Sequence, residues 1–569
     1  MFKNSIHRRL LYALSGAVTL LTGVGLLSAE GNPKKLKIVF LMGQSNMVGY
    51  STPRTAWYLT QPMYVPPVAT ATARGKYYDE SFYWQGLEFG SGDSPDFQVK
   101  GKALIEERRA SRALWRSRVY SNFSRAAKAQ GKTLENNDWK TKEWGEPPVG
   151  EDGNFRSRMY EFLNRKAEEE GIYRRMVEHI ESPENKRHPK VVLAELGKRD
   201  QLIANDLKRV REIFVKGATT DDFDQLEEAT KKFGKVNPEN REEYARLVQK
   251  HINLPVAKRT HISAYGELSG AKTDHDRDRA TQGLLTVGYG KHSQASGPEY
   301  AFGISYERLV DGPVLLVKCS WGGTSLQGPW RPPSLANTET PIEKVSREAK
   351  NKADAERAKL NGAKFTPKEP QTGPGACWQR AMAHVKKVLA DPGQYHPDYD
   401  PKAGVELAGL VWFQGWNDLG NEAYGEQLVH FIQDVHKEVK APELPVVCGL
   451  VGHTTWPSTT FESTVNRGML YAAKNEKLKG SVDVVNTVKY FPVELGLLKS
   501  VKAAFGEESQ EYQDALATIP RSCSNSGLHY FGSAKFLCLT GNAMAHSLVN
   551  LSKGREPFIH KEAEALQKD

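Results

Sequence analysis

The sequence predicts an α/β protein, a parallel sheet covered by helices on both faces and interrupted by a large, mainly helical insertion. Three observations carry that reading. Short apolar runs such as Lys37-Ile-Val-Phe-Leu-Met42 stop abruptly at glycine and small polar residues, as buried parallel strands do before a tight turn. Runs of this kind alternate with stretches of helical period in the C-terminal half, the pattern of βαβ units. Between about Lys102 and Gln249 the texture changes to long charged segments with single Leu, Trp, Tyr and Phe residues three or four apart.

The elements follow in order. A strand from Leu36 to Gly43 leads into a turn and the start of a helix or loop to about Tyr58. Ala103–Trp115 and Tyr160–Glu170 mix opposite charges as solvated helix faces do, so residues 101–255 are expected to form the helical insertion. After about His261 the α/β texture returns. Strands are expected at Leu284–Gly290, Val314–Cys319, Leu407–Phe413, Leu444–Val451 and Val482–Val488, with helices at Ala376–Leu389, Tyr424–Val439 and Phe536–Val549. Residues 30–100 and 256–552 then complete one domain, followed by a polar tail at 553–569.

Composition narrows the class. With 39% apolar and 26% charged residues in 569, the chain is that of a globular protein. Its formal charge of +10 is spread among interleaved Lys, Arg, Asp and Glu, so nucleic acid is not an expected partner. Lys3, Arg8 and Arg9 precede an uncharged run, Leu10 to Leu27, and Ser28-Ala29 form a small-residue cleavage site. Residues 1–29 therefore read as a secretory signal peptide, with an uncleaved membrane anchor as the alternative. No Cys follows the run, which argues against a lipoprotein anchor, and the body is expected to be secreted or periplasmic. Cys319, Cys377, Cys448, Cys523 and Cys538 have no CxxC spacing, so no zinc or other metal site is expected, and one or two disulfides stay open.

Four stretches could carry chemistry. Ser45, in Gly43-Gln-Ser-Asn46, would stand at the carboxyl end of a strand, where open α/β sheets bind ligands. A serine there is a plausible nucleophile, or a polar helix cap. Ser320-Trp-Gly-Gly-Thr-Ser-Leu326 follows another strand, and its paired glycines let backbone N–H groups approach a developing oxyanion. Gln414-Gly-Trp-Asn-Asp418 offers an Asn amide donor and a carboxylate able to orient a base, or a helix cap. His529, in Gly527-Leu-His-Tyr-Phe-Gly532, is the candidate base, since a triad is set by geometry and not by chain order.

Taken together, Gly43-Gln-Ser-Asn-Met47, the Gly322-Gly323 loop, Gly415-Trp-Asn-Asp418 and His529 resemble the four ordered blocks of the SGNH hydrolases. They resemble in particular the sialate O-acetylesterase-like branch, which includes acetyl xylan esterases of carbohydrate esterase family six. Gly297-Pro-Glu-Tyr-Ala-Phe-Gly303 and Arg331-Pro-Pro-Ser334 add to the likeness, which covers Leu36 to about Tyr58 and about Gly283 to Val549 but not the insertion. The resemblance implies a three-layer α/β/α, flavodoxin-like fold and a serine esterase that removes O-acetyl groups from a glycan without a cofactor. It implies Ser45 as nucleophile, His529 as base, and Gly323, Gly322 and Asn417 as oxyanion donors. Gln44, Gln414, Trp416 and Glu299 become candidates for substrate binding. The Asp that most relatives keep three residues before the His is Ser526 here. Asp418 is then the first candidate acid and Glu299 the next, with a Ser-His dyad as the alternative. Trp321, Trp330 and Trp416 could stack on sugar rings or pack in the core. The competing reading is a non-catalytic glycan-binding protein on a degenerate SGNH fold.

Overall fold

The computed structural model describes residues 34–61, 171, 189–268, 278–360, 364–370, 372–452, 463–478, 480–492, 495, 510–525 and 529–555. Its strands are β1 (Leu36–Gly43), β2 (Thr260–Glu267), β3 (Asp278–Leu284), β4 (Val314–Ser320), β5 (Val405–Phe413), β6 (Val446–Gly449) and β7 (Val482–Val485). The helices that matter here are α1 (Ser45–Val48), α2 (Pro189–Phe214), α3 (Thr220–Phe233), α4 (Arg241–Ile252), α5 (Pro298–Leu309), α6 (Pro341–Leu360), α7 (Ala376–Ala390), α8 (Tyr424–Glu438), α9 (Thr464–Lys474), α10 (Gln510–Ser522) and α11 (Ala534–Ser552).

Alternation along the strands decides the layering. Successive side chains of a strand point to opposite faces. In β1, Ile38, Phe40 and Met42 enter one apolar cluster while Val39 and Leu41 enter another. Leu315, Val317 and Cys319 of β4 join the first set, and Val314 and Leu316 the second. Helices α7, α8 and α9 cover one face, whereas α5 and α11 pack on each other across the other. The result is a three-layer α/β/α fold.

The sheet order is β3-β2-β4-β1-β5-β6-β7, parallel except where β3 pairs antiparallel with β2. The chain fills one side of β1 with β2, β3 and β4 before crossing to β5 on the other. That reversal opens a crevice at the carboxyl end of β1, the usual ligand position in open α/β sheets.

Within the expected insertion, α2 to α4 are helical and bury Val210, Phe214, Phe223, Tyr244, Val248 and Ile252 against the α5–α11 face. Helix α3 starts in a capping box, with Thr219 and Asp222 satisfying each other's backbone N–H groups. Ala103–Trp115 and Tyr160–Glu170, like residues 1–29, lie outside the described residues.

One expectation needs correction, and one strand was missed. The strand expected at Leu284–Gly290 ends at Leu284; beyond it Leu285, Val287 and Tyr289 are buried in a loop, not in the sheet. Strand β2 was not legible, because Thr-His-Ile-Ser-Ala-Tyr-Gly-Glu lacks a continuous apolar run. All five cysteines are buried thiols and none forms a disulfide.

Candidate active site

Ser45 opens α1 at the carboxyl end of β1, between the ends of β4 and β5. Gly49 ends that single turn at φ +91, and a Cβ there would lie 2.0 Å from Gly297 N, so only glycine fits. The carbonyl of Val48 is held from below by Lys318 Nζ at 2.9 Å. Lys318 is fully buried in β4, and its ammonium also donates to the Tyr289 carbonyl at 2.8 Å and lies 2.9 Å from Glu299 Oε2. Glu299 in turn accepts the Gly297 N–H at 2.9 Å. Burial pulls the Lys318 amine down and pushes the Glu299 carboxyl up, each opposed by its partner. Glu299 is therefore not a substrate ligand or the acid behind the histidine. It is spent on a buried ion pair that fixes the exit of the Ser45 turn.

The β5 loop is organised by Gln44, the residue before the serine. Its Oε1 accepts from Gln414 Nε2 and Gly415 N, both at 3.1 Å, and its Nε2 donates to Asn417 Oδ1 at 3.1 Å. Gln414 Nε2 also donates to the Thr324 carbonyl and to Asp418 Oδ2. Both glutamines are only 1% exposed, so they act as clamps between loops instead of contacting substrate. Asn417 is exposed, and with its Oδ1 taken by Gln44 its amide Nδ2 is left to donate.

Asp418 is also a loop clamp. Its carboxylate accepts from Leu326 N at 2.6 Å, Gln327 N at 3.2 Å, Gln414 Nε2 at 2.7 Å and Asn421 Nδ2 at 3.1 Å. Burial pushes its carboxyl up and these donors hold it down. With four donors on it, Asp418 binds the β4 loop to the β5 loop and does not orient His529.

In the β4 loop the two glycines differ. The Gly322 N–H is already bonded to Glu267 Oε2 at 2.7 Å. Gly323 is exposed, has φ +69, and borders open space. Of the pair, Gly323 is the one placed to serve an oxyanion. Trp321 and Trp330 are buried, the latter donating to Thr324 Oγ1 and packing edge-on against Trp412, so neither presents a face to a sugar. Trp416 stays half-buried.

His529 begins a turn, His529–Gly532, that packs against α1. His529, Tyr530, Phe531 and Gly532 all have φ between 54° and 60°. Left-handed conformations cost non-glycine residues about 1–3 kcal/mol each and persist where surroundings over-determine them. Here Phe531 O accepts from Ser524 N and Asn525 N, Tyr530 Oη accepts from Gly452 N, and the Tyr530 ring stacks on Phe536 at 3.6 Å. The His529 ring stacks on Tyr50 at 3.8 Å, and its Nδ1 is buried with no hydrogen-bond partner among the described residues. Residues 526–528, Ser526 included, lie outside them. Burial pulls the imidazole down to about 4, with Glu267 opposing and Lys291 adding to the shift.

Ser45, Gly323 and Asn417 thus stand on three adjacent strand ends, with the His529 turn against the serine's own helix. Sequence reasoning missed Lys318, Glu267, Lys291 and Tyr50. Only Lys318 carried a signal, a lone charge in an apolar strand that must find a buried partner. Among the described residues no group of three His, Cys, Asp or Glu side chains is arranged to hold a metal ion.

One part of the chain is similar to a family of ester hydrolases that act on carbohydrate. Residues 372–490 match the family model described as carbohydrate esterase, sialic acid-specific acetylesterase. The span begins just before α7 and ends beyond β7, enclosing the Gln414–Asp418 loop. Among solved structures, a protein from Arabidopsis thaliana is similar at 15% identity over 45% of this chain and 82% of its own, with a TM-score of 0.22. A carbohydrate acetylesterase from Xanthomonas citri is similar at 12% identity over 45% of this chain and 51% of its own, with a TM-score of 0.23. NanS is similar at 12% identity over 41% of this chain and 69% of its own, with a TM-score of 0.24. No curated protein matches the sequence significantly.

Proposed function

We propose that this protein is a secreted serine esterase that removes O-acetyl groups from carbohydrate, an acetylated polysaccharide or a sialic acid, through an acetyl-serine intermediate. One observation carries the reading: Ser45 lies at the switch point of the sheet, with an outward Asn417 amide and the open Gly323 loop on the two neighbouring strand ends.

Ser45 Oγ attacks the acetyl carbonyl carbon while His529 takes its proton. The carbonyl oxygen becomes an oxyanion received by Gly323 N–H and Asn417 Nδ2. Collapse of that intermediate breaks the bond to the sugar oxygen, which leaves with the proton from His529. Water, deprotonated by the same imidazole, then attacks the acetyl-serine and releases acetate. The half-buried Trp416 beside Asn417 offers a ring to the sugar.

The reading is tested by incubating wild type and Ser45→Ala with a chromogenic acetyl ester and with acetylated xylan. Acetate release by the wild type alone is expected. Release by neither protein, with glycan binding intact, would favour the second reading, a glycan-binding protein on a degenerate SGNH fold. That reading draws on the His529 Nδ1 without a partner among the described residues. Export is tested separately by N-terminal sequencing of protein recovered outside the cytoplasm, which should begin at Glu30 if the leader is cleaved.

A further inference from the structure

Glu267 is the last residue of β2, only 7% exposed, and belongs to none of the blocks that carry the family resemblance. A carboxylate so placed is costly unless its charge and lone pairs are used. Its Oε2 accepts the Gly322 N–H at 2.7 Å and its Oε1 pairs with Lys291 Nζ. The backbone N–H of Lys291 donates to the Gly49 carbonyl at 2.8 Å, and Gly49 N–H donates to the Ser45 carbonyl at 3.0 Å. A continuous run of polar contacts therefore leads from the glycine loop to the serine turn through one carboxylate and one ammonium. The space is shaped for it as well, since a Cβ on Gly322 would lie 2.6 Å from Glu267 Oε2.

We propose that Glu267 is a positioning residue for the deacetylation. By holding the Gly322 N–H and the Lys291 ammonium together, it sets the glycine loop at a fixed place relative to Ser45 and leaves Gly323 as the free oxyanion donor. This rests on the esterase reading above.

The bond to Gly322 is far from neutral in its effect on catalysis, because an oxyanion donor works only when it is pre-aimed at the charge that develops in the transition state. A loosened loop weakens transition-state binding more than ground-state binding, which lowers kcat and spares KM. The two charges also act on His529 in opposite senses, Glu267 raising its pKa and Lys291 lowering it.

The experiment compares wild type, Glu267→Ala, Glu267→Gln and Lys291→Met for kcat, KM, pH profile and melting temperature on one acetyl ester. Glu267→Ala should lose roughly tenfold or more in kcat, with KM within about twofold. Glu267→Gln keeps an acceptor for Gly322 and should recover much of kcat. Its acid limb should move to lower pH, since Lys291 then acts on His529 unopposed, and Lys291→Met should move the limb to higher pH. If Glu267→Ala fails to fold, the glutamine and methionine variants decide through the opposite shifts of their acid limbs. Wild-type kcat in both Glu267 variants, or limbs that do not move, would overturn the role of Glu267. A wild type that releases no acetate contradicts the esterase reading itself, which is a different result from an active wild type indifferent to Glu267.

Discussion

Gln44 Nε2 donates to Asn417 Oδ1 at 3.1 Å, so the residue that precedes Ser45 sets the orientation of the amide on the neighbouring strand end. The proposed nucleophile and the proposed oxyanion donor are built on one connection. Asn417→Ala should lower kcat by about 10²–10³-fold, the usual loss of one oxyanion donor, with a smaller loss of stability, because its exposed side chain takes with it only the acceptor of one buried donor, Gln44 Nε2. Gln44→Ala should cost activity and stability together. It strips the acceptor from Gly415 N–H, a loss of about 1–3 kcal/mol for a buried donor left unpaired. Steady-state kinetics and thermal melts of the two variants separate these effects.

Asp418 gives the converse case. Its oxygens are filled by four donors, so Asp418→Asn turns an amide NH2, itself a donor, toward groups that are all donors. The variant should be destabilised by about 1–3 kcal/mol while the acid limb of its pH–rate profile stays where the wild type's is. A limb displaced by Asp418→Asn would make this carboxylate the partner of His529 after all.

The buried pair beneath the serine turn predicts a strong non-additivity. Lys318→Met leaves Glu299 charged and alone in a fully buried site, which should cost about 3–5 kcal/mol. Lys318→Met combined with Glu299→Leu should be less destabilised than Lys318→Met alone, because no uncompensated charge remains. Chemical denaturation of both variants and of the Glu299 single mutant completes the cycle.

Acid should act on stability and on rate in separate windows. His261, His384 and His529 are each pulled from 6.5 to about 4, with burial as the first cause. The unfolded chain takes up these protons first, so their contribution is full above pH 6.5, falls as pH drops below it, and levels off beneath about 4. His529 must be neutral to act as base, so kcat/KM should hold down to its folded pKa near 4 and not fail near 6.5. Melting temperature and kcat/KM recorded over the same pH series check both statements.

Much of this site was legible because a strand end is written in a few adjacent residues. The apolar runs before Gly43, Ser320 and Gln414 marked three neighbouring strand ends, and the sheet order places them side by side. What the sequence concealed is pairing across distance. Glu299 read as a site residue because it is polar and near a motif, yet its partner Lys318 is on another element and turns it inward. Gln44 and Gln414 looked like ligands and proved to be clamps for the same reason. The left-handed turn at His529–Gly532 has one glycine in four residues; tertiary hydrogen bonds impose it, and local propensity gives no hint of it.

The most direct test of the account is to stop the reaction in acid during turnover of an acetyl ester and to map the protein by peptide mass spectrometry. One added acetyl group is expected on the peptide that contains Ser45, with none in Ser45→Ala and more when His529 is replaced by a residue unable to activate water. Acetate release by Ser45→Ala at the wild-type rate, or an acetyl group trapped on another residue, would contradict it.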